Sequence, residues 1–233
     1  MQFKTFLASI SPSNGVTVVV LMGIFVGAGA AVAAAKANDS DRDLDDPRIR
    51  RGFELAPVEL NLHGKDPNLI GLGSYLINAV GGCNDCHTAD PATEFAPGGN
   101  PFFGQPKVIN QATYLAGGRN FGPLAPNTPD IVSRNLTPDK TGRPEGGRTF
   151  AEFLHIMKTG EDLDHLHPNC SASVTENCFP KSLPFDGNLL QIMPWWLFQG
   201  MTDHELRAIY EYLSAIPCVA GPPAPSVLHN DCT

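Results

Sequence analysis

The run Cys83-Asn84-Asp85-Cys86-His87 constrains this chain more than any other feature. Two cysteines with two residues between them fit on one helical turn, and a histidine follows directly. C-x-x-C-H is the attachment signature of c-type haem. Two thiols add across the two vinyl groups of the macrocycle. The adjacent histidine is then held under the iron, for which a neutral imidazole nitrogen is a good ligand. A dithiol redox motif would sit in a βαβ pattern, and a zinc site would require a second paired cluster of matching spacing. The sequence has neither. An ordinary disulfide between these cysteines would leave His87 unexplained. The expectation is one covalent haem c on Cys83 and Cys86, with His87 on its iron.

The iron then has a sixth position, and Met193 is the expected occupant. It lies in Gln191-Ile192-Met193-Pro194-Trp195-Trp196, just before the last helical segment. Pro194 stiffens the loop that would aim the thioether inward. A thioether favours ferrous iron and raises the potential. The other candidates read differently. Met157 lies on the apolar face of a helix and reads as core, and Met201 reads as a hydrophobic staple before a capping box. His155, His165, His167 and His204 offer bis-histidine alternatives, but His165 and His167 sit in a polar loop and read as surface groups. His63 and His229 lie in the flanking segments.

The remaining cysteines, Cys170, Cys178, Cys218 and Cys232, permit three pairings. Local pairing, Cys170–Cys178 and Cys218–Cys232, is expected, because each bridge would staple a Pro-rich irregular segment. Arg119, Arg134, Arg143 and Arg148, together with Trp195 and Trp196, are the candidate partners for the anionic haem propionates.

The N-terminal 37 residues read as a targeting segment. Residues 16–35 form an apolar run without a charge, long enough at 1.5 Å per residue to span ~30 Å of hydrocarbon. The run ends in small residues suited to cleavage, so it is either a removed signal or a retained membrane anchor. Both place the rest of the chain outside the cytoplasm, in the periplasm or an equivalent compartment where disulfides form. The formal net charge of −8 argues against nucleic-acid binding and favours a partner with a basic patch.

Beyond residue 37, the stretch 38–66 is polar and Pro-punctuated and reads as a linker with an extended arm carrying Phe53, Leu55, Val58, Leu60 and Leu62. A single compact α domain is expected over 67–218, followed by a stapled tail over 219–233. Asp66 and Pro67 mark the start of a helix carrying the stripe Leu69, Leu72, Leu76 and Val80. Residues 88–148, rich in Gly and Pro, read as a long irregular loop with no alternating strand pattern. Thr149 and Glu152 form a capping box for a helix that closes at Gly160. Thr202 and Glu205 do the same for the last helix, whose apolar face is Leu206, Ile209, Tyr210, Leu213 and Ile216, with Pro217 beyond it.

These pieces resemble the class I, mono-haem cytochromes c. The matching residues are Cys83-x-x-Cys86-His87, Ser133-Arg-Asn-Leu-Thr-Pro-Asp139, the 149–160 helix, Met193-Pro194-Trp195 and the segment from Met201 to Leu213. The Asn135–Asp139 run and Met-Pro-Trp are most similar to cytochrome c subunits of membrane-bound bacterial alcohol and sugar dehydrogenases. The likeness covers roughly 68–218. It implies an all-α cytochrome c-like fold with first and last helices crossing near Gly73 and Tyr210. It also implies haem on Cys83 and Cys86, iron between His87 and Met193, and electron transfer without catalysis of its own. The implied partners are redox proteins, such as a dehydrogenase, a quinol-oxidising complex or a terminal oxidase. The chain departs from the family in having one haem motif and 106 residues between His87 and Met193. The alternative is a haem enzyme or gas-binding sensor, which requires an open or labile sixth position.

Overall fold

The computed structural model describes residues 46–126, 128–163, 185–223 and 228–233. The chain divides into two compact units, Met1–Lys36 and Ala37–Thr233, and the described residues all belong to the second. The expectations for 1–37, for His165 and His167, and for a Cys170–Cys178 bridge lie outside the described residues. The described residues are mostly helical, with one small two-stranded sheet.

Helix α1, Pro47–Leu55, falls where a linker and extended arm were expected. The correction has a physical reason. Its apolar face is short, Ile49, Gly52 and Phe53, with a glycine within it and three arginines around it, so it does not stand out in the sequence. Ile49 and Phe53 lie against Gly71, and the backbones meet at Gly52, where a methyl group would lie 1.8 Å from the Gly71 carbonyl oxygen. The Ser74 hydroxyl donates to the Gly52 carbonyl at 2.6 Å and closes the contact. Val58 and Leu60, beyond α1, pack against the core as the expected arm would, while Leu62 is exposed.

Helix α2, Pro67–Tyr75, starts at Asp66, whose carboxylate accepts from the Asn68 N–H at 2.9 Å. The chain then widens into a π-helical segment, Leu76–Gly81. Such a segment takes an extra residue per turn and shifts the register of the residues beyond it. Ile77 continues the buried face of Ile70, Gly73 and Ser74, while Val80, expected on the stripe, is 65 % exposed. Gly82, at φ 56°, reverses the backbone and launches the single turn α3, Cys83–Cys86.

Short strands β1, Asn120–Pro123, and β2, Asp130–Val132, pair antiparallel within the segment expected to be irregular. Both capping boxes form. Thr149 and Glu152 open α4, Phe150–Thr159, which closes on Gly160 in the left-handed conformation. Helix α5 is the single turn Trp195–Phe198. Thr202 and Glu205 open α6, Asp203–Leu213, and bury Leu206, Ile209, Tyr210 and Leu213.

Helices α2 and α6 cross at Gly73, where a methyl group would lie 2.0 Å from the Ala208 carbonyl oxygen and 2.8 Å from Tyr212 Cβ. Ala208 and Tyr212 thus take the place expected for Tyr210. Tyr210 turns to the other side, edge-on to Phe150, and donates to the Arg148 carbonyl at 2.9 Å. A disulfide, Cys218–Cys232, staples the tail as expected.

Candidate functional site

One apolar cavity, offering about 180 Å³ to water-sized occupants, is lined by Cys83, Cys86, His87 and Met193 together. These are the four residues singled out by the sequence, and Met193 joins the other three across more than 100 residues of chain. Ile77, Ile131, Val132, Leu136, Phe153, Ile156 and Leu213 supply much of the wall.

The cysteines come from α3, closed by the His87 N–H donating to the Cys83 carbonyl at 3.0 Å. One turn presents both sulfurs to the cavity, and both are free thiols. Burial pushes the Cys83 thiol up to about 12, so it is uncharged at neutral pH. Asn84 fastens the turn from behind. Its side-chain oxygen accepts from the Thr88 hydroxyl at 2.8 Å and from the Leu115 N–H at 2.9 Å.

His87 is held at two points. Its Nδ1 lies 2.7 Å from the Arg134 carbonyl oxygen. A carbonyl only accepts, so Nδ1 carries the proton and Nε2 keeps its lone pair. Burial also lowers the His87 pKa to about 4, which keeps the ring neutral at pH 7. The His87 backbone carbonyl accepts from the Gly117 N–H at 2.8 Å. Gly117 sits at φ 71°, and a methyl group there would lie 2.4 Å from the Arg134 carbonyl carbon and oxygen. Gly117 and Arg134 therefore interlock, and between them they grip both the backbone and the ring of His87.

Met193 is held differently. Its N–H donates to the Gln191 carbonyl at 2.7 Å across Ile192, whose φ is 68°. This closes a γ-turn of the rare, strained hand around a β-branched residue. The Trp195 N–H donates to the Met193 carbonyl at 2.8 Å across Pro194, at φ −81° and ψ 56°, which is a γ-turn of the common hand. Met193 thus sits between two three-residue turns. The loop is fastened to the end of α4, where the Leu190 N–H donates to the Gly160 carbonyl at 2.7 Å. The Trp195 ring lies against Gly160, where a methyl group would meet it at 2.3 Å.

The competing donors separate by position. Met157 lies on the apolar face of α4 as expected, and it also lines the cavity. Met201 packs against the core outside the cavity wall. Among the described residues, His87 is the one histidine on that wall. His155 pairs with Glu161 at 2.5 Å, His229 faces the Pro222 carbonyl, and His63 and His204 are exposed.

Of the residues proposed for anionic partners, Arg134 alone reaches the cavity. Its guanidinium pairs with Asp162 at 2.6 Å and lies 3.7 Å from Glu145, all three largely buried. Arg119 instead donates to the Asp85 carbonyl and lies over the Phe121 ring. Arg143, Arg148, Trp195 and Trp196 do not line the cavity. The interlock of Gly117 with Arg134, the π-helical approach to Cys83 and the strain at Ile192 were not foreseen. The Gly117-Gly118 pair was the available signal for the first.

The donor set suits the group expected from the sequence. Two free thiols on one turn, a neutral imidazole whose Nδ1 is held by a backbone carbonyl, a thioether and apolar walls are the elements an iron porphyrin attached through its vinyl groups uses. The chain matches no protein-family model and no curated protein.

Proposed function

We propose that this protein is an electron-transfer c-type cytochrome with one covalent haem c and His/Met-ligated iron. The observation that carries this reading is the meeting of Cys83, Cys86, His87 and Met193 on one apolar cavity, with His87 Nδ1 occupied by a backbone carbonyl. The crossing of α2 and α6 at Gly73 supports a cytochrome c-like fold around it.

Cys83 and Cys86 would hold the haem as thioethers, each S–H adding across a vinyl group with sulfur and hydrogen on adjacent carbons and no net oxidation. His87 would hold the iron through Nε2, its ring oriented by the Arg134 carbonyl. Met193 Sδ would be the second protein ligand, positioned by its flanking turns. When bound, the haem supplies an iron that exchanges one electron between its ferrous and ferric states. The apolar walls exclude water and limit the reorganisation that a change of charge provokes. No general acid or base is required, and no substrate is bound. The protein passes electrons between redox partners outside the cytoplasm, and its acidic composition favours a partner with a basic patch.

Met193→Ala tests the reading against that of a haem enzyme or gas sensor. The variant is expected to keep its haem while its iron gains rapid binding of carbon monoxide. Rapid binding of the same ligand by the unaltered protein would favour the open-site alternative.

A further inference from the structure

The Arg134 carbonyl that accepts from the His87 ring belongs to the peptide joining Arg134 to Asn135, so both neighbours set its aim. Arg134 is fixed through its guanidinium on Asp162. Asn135 is fixed by the opposite end of the chain. Its side chain is almost wholly buried, and its Nδ2 donates to two carbonyls of the C-terminal tail, Val219 at 2.8 Å and Leu228 at 3.2 Å. Its Oδ1 accepts from the Thr137 N–H at 3.0 Å and the Thr137 hydroxyl at 2.7 Å. Asn230, equally buried, reaches back from the tail and donates to the Thr137 carbonyl at 2.7 Å.

One amide can meet both Val219 and Leu228 only if the tail doubles back. The Asn230 N–H holds that fold-back by donating to the Ala220 carbonyl at 2.9 Å. The disulfide Cys218–Cys232 closes it covalently across 14 residues. Gly221, at φ 67°, allows the closest approach, since a methyl group there would lie 2.3 Å from the Leu228 carbonyl oxygen. Among the described residues beyond Cys218, Leu228 is the one buried hydrophobic side chain. The tail is therefore held by a polar knot rather than by apolar burial. A fully satisfied buried network of this kind fixes one geometry.

We propose that the tail, closed by Cys218–Cys232 and knotted to Asn135, is a positioning device for His87. It keeps the Arg134 carbonyl on the ring Nδ1 and so sets the basicity of Nε2. The clamp itself does not depend on haem; what Nε2 is prepared for rests on the electron-carrier reading.

The test follows the His87 Nδ1 proton by nuclear magnetic resonance in the reduced exported protein, as its exchange with solvent. The Gly160 amide, which donates to the Ile156 carbonyl at the end of α4, is the reference. C218S/C232S should speed exchange of the ring proton about tenfold or more while the Gly160 amide keeps its rate. Gly221→Ala, which keeps the disulfide and displaces the Leu228 carbonyl, should speed it about fivefold. In the haem-loaded protein, C218S/C232S should raise the ferrous-to-ferric ratio at a fixed poise about tenfold, or ~59 mV, because an imidazole that loses its acceptor is a weaker base. A purely structural staple would lower the melting temperature and speed both protons in step. That result overturns the proposal, as does an unchanged ring proton or an unchanged ratio. An exported protein without haem would instead sink the electron-carrier reading, and the ring proton would still decide the clamp.

Discussion

The two sides of the cavity are built on opposite plans. On the His87 side, the ligand belongs to a compact sequence motif, but its supports are remote. Gly117 follows 30 residues later and Arg134 follows 47 residues later. On the Met193 side the ligand has no strong motif, but its supports are near, two γ-turns centred on Ile192 and Pro194. A ligand placed by long-range interlocking is lost only when a large part of the fold yields. A ligand placed by a strained local loop can leave while the rest stays folded. In the proposed reading, that difference would let His87 hold the iron permanently while Met193 is the adjustable ligand.

The contrast can be broken by mutation, and the largest effects fall on the His87 side. His87→Ala should abolish stable holoprotein, measured as haem content after export. Gly117→Ala comes next, because the added methyl meets the Arg134 carbonyl at 2.4 Å and φ is 71°. Overpacking and strain together should destabilise by about 2–4 kcal/mol. That lowers the melting temperature by roughly 5–15 °C, and Gly117→Val should be worse.

Glu94 gives a pH-dependent handle beside the same motif. Burial, then the hydrogen bond and the negative charge of Asp85, raise its pKa to about 7 from an ordinary 4.5. The folded state therefore prefers the protonated acid. This contribution to stability is full below about pH 4.5 and is lost as pH rises through about 7. Glu94→Gln should leave stability unchanged near pH 4 and raise it by about 1–3 kcal/mol at pH 8, as seen in denaturant midpoints.

On the Met193 side the expected stability effects are smaller and the spectroscopic ones sharper. Met193→Ala should cost about 1–2 kcal/mol, less than a deeply buried methionine, because the residue is only partly buried. Ile192→Gly should relieve the strain at φ 68° and stabilise the protein by roughly 1 kcal/mol. It should also free the loop, which would show as faster exchange of Met193 by added imidazole. A fall in melting temperature for Ile192→Gly would contradict the strained-turn account.

The same contrast separates the legible residues from the hidden ones. Cys83, Cys86 and His87 were legible as one group because their spacing is local, and they do share one cavity with Met193. Both capping boxes were legible for the same reason, each being a four-residue rule. Helix α1 was not, since its apolar face is only Ile49, Gly52 and Phe53, too short to stand out, and its closest contact is at Gly52, which has no side chain. Val80 was misplaced because the π-helical segment changes the period on which the stripe depends. The crossing near Gly73 was placed correctly in α2, but its partners are Ala208 and Tyr212, since Tyr210 is drawn to Phe150 and Arg148. The Arg134 carbonyl is a backbone group, which no residue type announces.

The most direct test is an optical spectrum of the exported protein, oxidised and reduced, with and without carbon monoxide. The account predicts a low-spin c-type spectrum with the far-red methionine–iron band in the ferric form and no rapid change on adding carbon monoxide. A high-spin ferric form, or rapid carbon monoxide binding by the reduced protein, would contradict it and remove Met193 from the iron.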